Sequence, residues 1–186
     1  ELDRPNGARV DNALLGGGYN FAADRRAAAA LVAADPAIAY RIRASRTAVR
    51  GAIRFALDRG IRQFIELGCG IPFPGGTHVV VHQRNPAAHV VYVDDDPVAI
   101  ALIDQVLDHD PTIGAIEAKP SDLTAVFDHD QTRRLIDLDE PIAVVLTHVP
   151  DHRRDLTDVI TALWKAITPT AAIPTGMSSG QHQVPP

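Results

Sequence analysis

Three carboxylates stand where an apolar run of this chain gives way to small or polar residues: Glu66 in FIELGCG, Asp94 in VVYVDDDP, and Asp122 in AKPSDL a few residues beyond IGAIEA. Short runs rich in β-branched and aromatic residues read as strands, so each acid falls at or just past a strand's carboxyl end. In a parallel sheet such ends share one edge, and ligands bind in the crevice outside it. Between the first two acids lies Gly68-Cys69-Gly70, where small or absent side chains let the backbone approach a ligand closely. A carboxylate ending the second strand can accept two hydrogen bonds from the vicinal hydroxyls of a ribose. An acid past the third can accept a purine's exocyclic amine, and it can equally cap the helix that follows. The pattern suits a nucleoside, with the glycines against its body and Asp94 under its sugar.

A dinucleotide would call for G-x-G-x-x-G opening a helix aimed at the pyrophosphate. Here Gly68 and Gly70 are followed by Phe73 at the third position, between Pro72 and Pro74. S-adenosylmethionine has no phosphates and needs no third glycine. It carries an amino acid and a sulfonium instead, and Glu66 is placed to serve the ammonium through the turn or an ordered water. A nicotinamide-dependent oxidoreductase is the first alternative, opposed by the missing glycine and by the lack of a Tyr-x-x-x-Lys pair. Lys119 and Lys165 are the only lysines, and neither follows such a tyrosine. A non-catalytic cofactor-binding protein, or a degenerate one, is the second.

The elements that must hold these residues follow from periodicity. Residues 1–20 are polar and glycine-rich, and read as a loop or lid. DRRAAAALVAAD predicts a helix from Asp24 to Pro36, and the apolar spacing of Ala37–Asp58 predicts a second, stopped by Gly60. Strands are expected at Phe64–Leu67, His89–Val93, Ile113–Ala118 and Ile142–Leu146. Helices are expected at Thr77–Gln83, Pro97–Asp108, Leu123–Phe127, Gln131–Ile136 and Asp155–Ile167. This alternation predicts an α/β fold, a Rossmann-like parallel sheet with two helices ahead of it. One domain spans 1–169, with helices and lid loop over 1–60 and the sheet core over 61–169. Residues 170–186 read as an irregular tail.

The whole resembles the class I S-adenosylmethionine-dependent methyltransferases. More narrowly it is similar to a single-domain bacterial S-adenosyl methyltransferase family. The resemblance rests on RVDNALLGGGYNFAADR (Arg9–Arg25), IRQFIELGCGIP, VVYVDDDPVAI and LTHVPD, and runs from about Pro5 to about Pro169. It implies that Glu66, Gly68 and Gly70, with Cys69 inside their turn, meet the methionine part of the cofactor. Asp94 would hold the ribose, Asp95 would lie beside the adenine or sugar edge, and Ser121, Asp122 and Leu123 would frame the adenine. Thr147 and His148 would face the transferred methyl, and Gly17, Tyr19 and Asn20 would close over the site. The family fold carries further strands after the last predicted helix, which this chain lacks, so its C-terminal strands are expected to be missing.

Methyl transfer is an in-line displacement that relies on positioning and a dry pocket. A base is needed only where the acceptor is protonated, and His148 is the candidate. No metal site is expected. His148 and His152 are separated by Pro150, His78 and His82 have no acidic partner between them, and adjacent acids in DDDP point to opposite sides. Asp96 instead reads as the N-cap of the next helix, in a solvated turn. With 46% hydrophobic and 22% charged residues, the composition is that of a soluble globular protein. The net charge of −5 offers no footprint for nucleic acid, and the arginines between Arg25 and Arg62 read as a solvated helix face. That leaves small molecules or proteins as acceptors, and a small molecule is expected. One cysteine, no signal-like segment and no run near the ~18 residues of a membrane span point to the cytoplasm.

Overall fold

The computed structural model of the protein describes residues 3–107 and 110–147. Three helices come first: α1 (Gly7–Leu14), α2 (Ala22–Ala34) and α3 (Ile38–Asp58). They are followed by β1 (Gln63–Leu67), α4 (Thr77–His82), β2 (His89–Asp94), α5 (Pro97–Leu107), β3 (Ile113–Glu117), α6 (Leu123–Asp128), α7 (Asp130–Leu135) and β4 (Ile142–Leu146). The four strands form one parallel sheet in the order β3-β2-β1-β4. Every expected strand forms within a residue of its expected ends. The predicted helix at Asp155–Ile167 lies outside the described residues. None of the described helices is long and apolar enough to cross a membrane.

Strand alternation sorts the core into two layers. Phe64, Val90 and Tyr92 pack on one face of the sheet against Ile53 and Ala56 of α3, Val80 and Val81 of α4, and Ile103 of α5. Ile65, Leu67, Val91 and Val93 face the other side, against Leu123 and Val126 of α6 and Leu135 of α7. With both faces covered, β1 is buried along its whole length. That is why its sequence is an apolar run interrupted inside only by Glu66.

One helix was not expected. Residues 7–14 form α1 because Asn6 caps them, its side chain accepting from the N–H groups of Ala8 (2.8 Å) and Arg9 (3.4 Å). Ala8 and Val10 are buried, but two apolar residues make too short a stripe to show as periodicity. The loop expected over residues 1–20 shrinks to the glycine-rich stretch after Leu14, where Gly16 adopts φ +81.

Arg9 ties this helix to the sheet. It is 5% exposed. Its Nε bonds Asp24 of α2 at 3.2 Å, its Nη1 lies 3.0 Å from both carboxylate oxygens of Asp96, and its Nη2 donates to the Arg4 carbonyl. Asp24 also accepts from Asn6 N (3.0 Å) and Phe21 N (2.8 Å), and these bonds and Arg9 hold its carboxyl below its usual range despite desolvation. Asp96 caps α5 through Val98 N as the sequence suggests, but it is buried and ion-paired instead of solvated. Removing one partner of a buried ion network leaves uncompensated charge, at a cost of about 3–5 kcal/mol. Arg9→Met should therefore lower the urea midpoint by that equivalent, and adding Asp24→Asn and Asp96→Asn should restore part of it. A variant as stable as the parent would show that the network does not hold the helices to the sheet.

Candidate functional site

Chain order places β1 between β2 and β4, so the direction of winding reverses beside β1 and opens a crevice at the carboxyl edge. Glu66 shares a strand face with Phe64, and therefore points toward α3. It is 3% exposed. Burial pushes its carboxyl up to about 7, with a smaller push from Asp94, against hydrogen bonds from Thr77 and Thr147 and the charge of Arg46. Thr147 Oγ1 lies 2.9 Å from Glu66 Oε1 and 2.7 Å from the Gly68 carbonyl. One hydroxyl proton cannot serve both acceptors. A protonated Glu66 donating to Thr147, which in turn donates to Gly68, satisfies all three groups.

The glycine turn is held against β2. Gly68 and Gly70 adopt φ +70 and +67, a region that side-chain-bearing residues rarely enter. The N–H groups of Gly68 and Cys69 both donate to the Val93 carbonyl, and Gly70 N–H donates to Asp94 Oδ2 at 2.7 Å. Asp94 Oδ1 accepts from Asp96 N at 2.9 Å. Its carboxylate, 5% exposed and shifted upward chiefly by burial, thus braces two turns, and Oδ1, with one bonded donor, keeps a free lone pair. Cys69 Sγ lies 4.0 Å from Asp94. Burial and the two acids raise its thiol well above the usual range, which makes it a poor nucleophile.

The remaining expected residues divide. Asp95 is exposed at the turn. Ala118 N–H donates to the Asp94 carbonyl, so the segment carrying Ser121 and Asp122 leaves the sheet next to Asp94. Asp122 caps α6 through Ala125 N (3.1 Å), and the Leu123 side chain is in the core. That leaves the backbone of Leu123 as the part able to face a ligand. Asn20 ties the lid loop together through Asn12 and the Gly17 carbonyl. Gly17 and Tyr19, the latter 56% exposed, line a cavity farther out and do not adjoin Asp94. His148 lies outside the described residues.

Sequence reasoning missed the residues that complete the crevice. A chamber of about 100 Å³ is lined by Glu66, Gly68, Gly70 and Thr147, and also by Asp11 of α1 and Arg46 of α3. Arg46 is desolvated, which lowers its affinity for its proton, while Asp11 and Glu66 oppose that shift. Its guanidinium sits 4.0 Å over the Phe73 ring. Arg25, Arg41, Arg43, Arg54, Arg59 and Arg62 are exposed or nearly so, as expected, but Arg46 and Arg50 are drawn toward the Phe73 segment. Their spacing with Arg43, three and four residues apart, was the one available signal that they share a helix face. After the turn, Ile71–Gly76 intervene before α4 begins at Thr77, so no helix N-terminus stands directly behind the glycines.

A family model described as S-adenosyl methyltransferase matches residues 1–181. A crystal structure of a candidate methyltransferase from Thermobifida fusca is 33% identical with a TM-score of 0.85, covering 91% of this chain and 65% of its own. A DUF574 family protein from Streptomyces avermitilis is 29% identical with a TM-score of 0.82, covering 89% and 66%. This chain thus spans just under two thirds of the length of these solved relatives. No curated protein matches. A parallel sheet with a glycine turn and buried strand-end acids agrees with these likenesses, and the chain belongs to the S-adenosyl methyltransferase family.

Proposed function

We propose that this chain binds S-adenosylmethionine at the carboxyl edge of β1 and β2 and transfers its methyl group to a small-molecule acceptor. The observation that carries the reading is the composition of the chamber beside Gly68–Gly70. An amino-acid head bears both charges, and the chamber offers Glu66 and Asp11 for an ammonium and Arg46 for a carboxylate. A pyrophosphate would bring a repulsive charge toward the two acids. Asp94, with a lone pair left on Oδ1, suits a ribose hydroxyl, and Ser121, Asp122 and Leu123 suit the adenine edge beside it.

The cofactor supplies a methyl group on a positively charged sulfur. The protein's part is to orient and to exclude water. Gly68 and Gly70 leave the floor of the site free of side chains, and Thr147 fixes the Glu66 carboxyl at that floor. His148, next in the chain, is the proposed proton acceptor for acceptors that carry a proton at working pH. A cytoplasmic setting suits the single buried thiol, Cys69.

Calorimetric titration with S-adenosylhomocysteine should give saturable binding, and NADH in a parallel cell should give none. Binding of NADH alone would favour the oxidoreductase reading. Asp94→Ala should weaken S-adenosylhomocysteine by at least ~1 kcal/mol, whereas unchanged affinity would remove the ribose assignment.

Glu66 makes a second prediction, in pH. Its ordinary value is 4.5 and its folded value about 7. Between these the folded chain holds a proton that the unfolded chain has lost. Its stabilising contribution is therefore full below the lower value and disappears as pH rises through the upper one. Asp94 is shifted in the same sense, while His78, pushed down chiefly by burial, destabilises as pH falls. Comparing the parent with Glu66→Gln isolates the Glu66 share, and the stability difference should favour the parent more at pH 5 than at pH 8. An ammonium beside Glu66 favours the carboxylate, so S-adenosylhomocysteine affinity should climb about tenfold from pH 6 to pH 8 and stay flat in Glu66→Gln. A parent profile as flat as the variant's would detach Glu66 from the ammonium.

A further inference from the structure

Past the chamber beside Glu66 the crevice widens into a second cavity of about 560 Å³, bounded by the α1–α2 loop, one face of α3 and the Ile71–Pro74 segment. Arg46 and Phe73 line both spaces. The charged residues lining the outer cavity are Arg43, Arg46 and Arg50, and no carboxylate lines it among the described residues. Their positions, three and four apart, bring all three guanidinium stems to one side of α3.

These arginines are set differently from others of the surface. Arg84 pairs with Asp58 and Arg133 with Asp128, in water. Arg46 and Arg50 instead lie over the Phe73 ring, at 4.0 Å and 5.9 Å from its centre. Arg50 Nε is buried without a hydrogen-bond partner among the described residues. Collecting like charges and leaving a buried donor unsatisfied both oppose folding, and an anion entering the cavity relieves both. The planar guanidinium fork matches carboxylate and phosphate oxygens. The rest of the wall combines apolar surface from Leu15, Tyr19, Pro72 and Phe73 with Asn12, Thr47 and glycines, a lining suited to an organic body carrying the anion.

We propose that the outer cavity holds the methyl acceptor by an oxyanion group, a carboxylate or a phosphate, gripped by Arg50 and Arg43, with Arg46 on the boundary between acceptor and cofactor. This rests on the methyl-transfer reading of the inner chamber. Arg43 and Arg50 do not line that chamber, so they separate the two assignments.

The test uses the full chain saturated with S-adenosylhomocysteine, titrated with 4-hydroxybenzoate and phenyl phosphate against the neutral 4-hydroxybenzamide and phenol. Binding is followed by ligand-detected NMR. The anions should bind at least about tenfold more tightly than their neutral counterparts, the equivalent of one charge-assisted contact. The better of the two anions identifies the acceptor's group. Arg50→Gln should cost the anions about tenfold and leave S-adenosylhomocysteine affinity within about twofold. Equal binding of anion and neutral analogue, or anion affinity unchanged in both Arg43→Gln and Arg50→Gln, would overturn the proposal. Normal S-adenosylhomocysteine binding in that case would leave the cofactor reading standing. Anion preference persisting in a chain that ignores S-adenosylhomocysteine would support the cavity and remove the cofactor reading instead.

Discussion

Arg9 is a full positive charge with almost no access to water, and the shape of the ligand crevice depends on its neutralisation. Its three bonding directions reach α1's own approach, the first turn of α2 and the turn between β2 and α5. The third of these is the turn whose first residue is Asp94. Through Asp94 the same network meets Gly70, where an added Cβ would come within 3.4 Å of Ala8 on α1. A helix far from the sheet in sequence is thereby fastened to the glycine turn. The α1–α2 loop and Asp11 inherit their positions from it. Replacing such a network with apolar residues would often stabilise a protein. What the ion network offers here is directional: three segments are placed relative to one carboxylate.

Once that frame is set, the crevice is graded in charge. Its floor holds Glu66, an acid raised by burial, and Asp94, raised likewise, lies at the end of the adjacent strand behind the glycine turn. Its outer wall holds guanidinium groups. Arg46 stands between, close enough to Glu66 and Asp11 for their charges to favour its protonated form. Burying two acids on neighbouring strands is unfavourable unless one can take a proton, and Glu66 does so near neutrality through the Thr147–Gly68 relay. The Glu66 position is therefore poised: neutral in a lone folded chain at mildly acid pH, ionised when a cation lies beside it.

Much of this is legible in residue order. The four strands are β-branched runs with clear ends, and the pattern of β4 gives its observed bounds, Ile142–Leu146. Glu66 and Asp94 stand out because a carboxylate ending an apolar run opposes burial and so needs a task that offsets that cost. What is not legible depends on pairs remote in sequence. Asp96 reads as a solvated cap until Arg9, 87 residues away, is seen beside it. Helix α1 hides because its register is set by a cap and an ion pair, with only a minimal apolar stripe. Arg46 and Arg50 look like any polar face of an alanine-rich helix, since nothing in their own segment announces that Phe73 will lie under them. Asp122 reads in the sequence as a helix cap or an adenine partner, and the structure shows the cap.

If the outer cavity holds the acceptor and the inner chamber the cofactor, as proposed, the charge gradient also constrains the chemistry. A nucleophile attacking a sulfonium must offer an electron pair, and a guanidinium bound to that same atom withdraws density from it. An oxyanion gripped by Arg43 and Arg50 is therefore an anchor and not the reacting atom, and the reacting atom must be another group on the same molecule. Arg46 at the boundary then discourages the anchor from sliding inward, because any oxyanion moving past it approaches Glu66 and Asp11. Repulsion between like-charged groups in a poorly hydrated space is stronger than in water. On that reading the acids proposed for the cofactor's ammonium would also orient the acceptor, by leaving its uncharged end as the part that can enter the inner chamber at low cost.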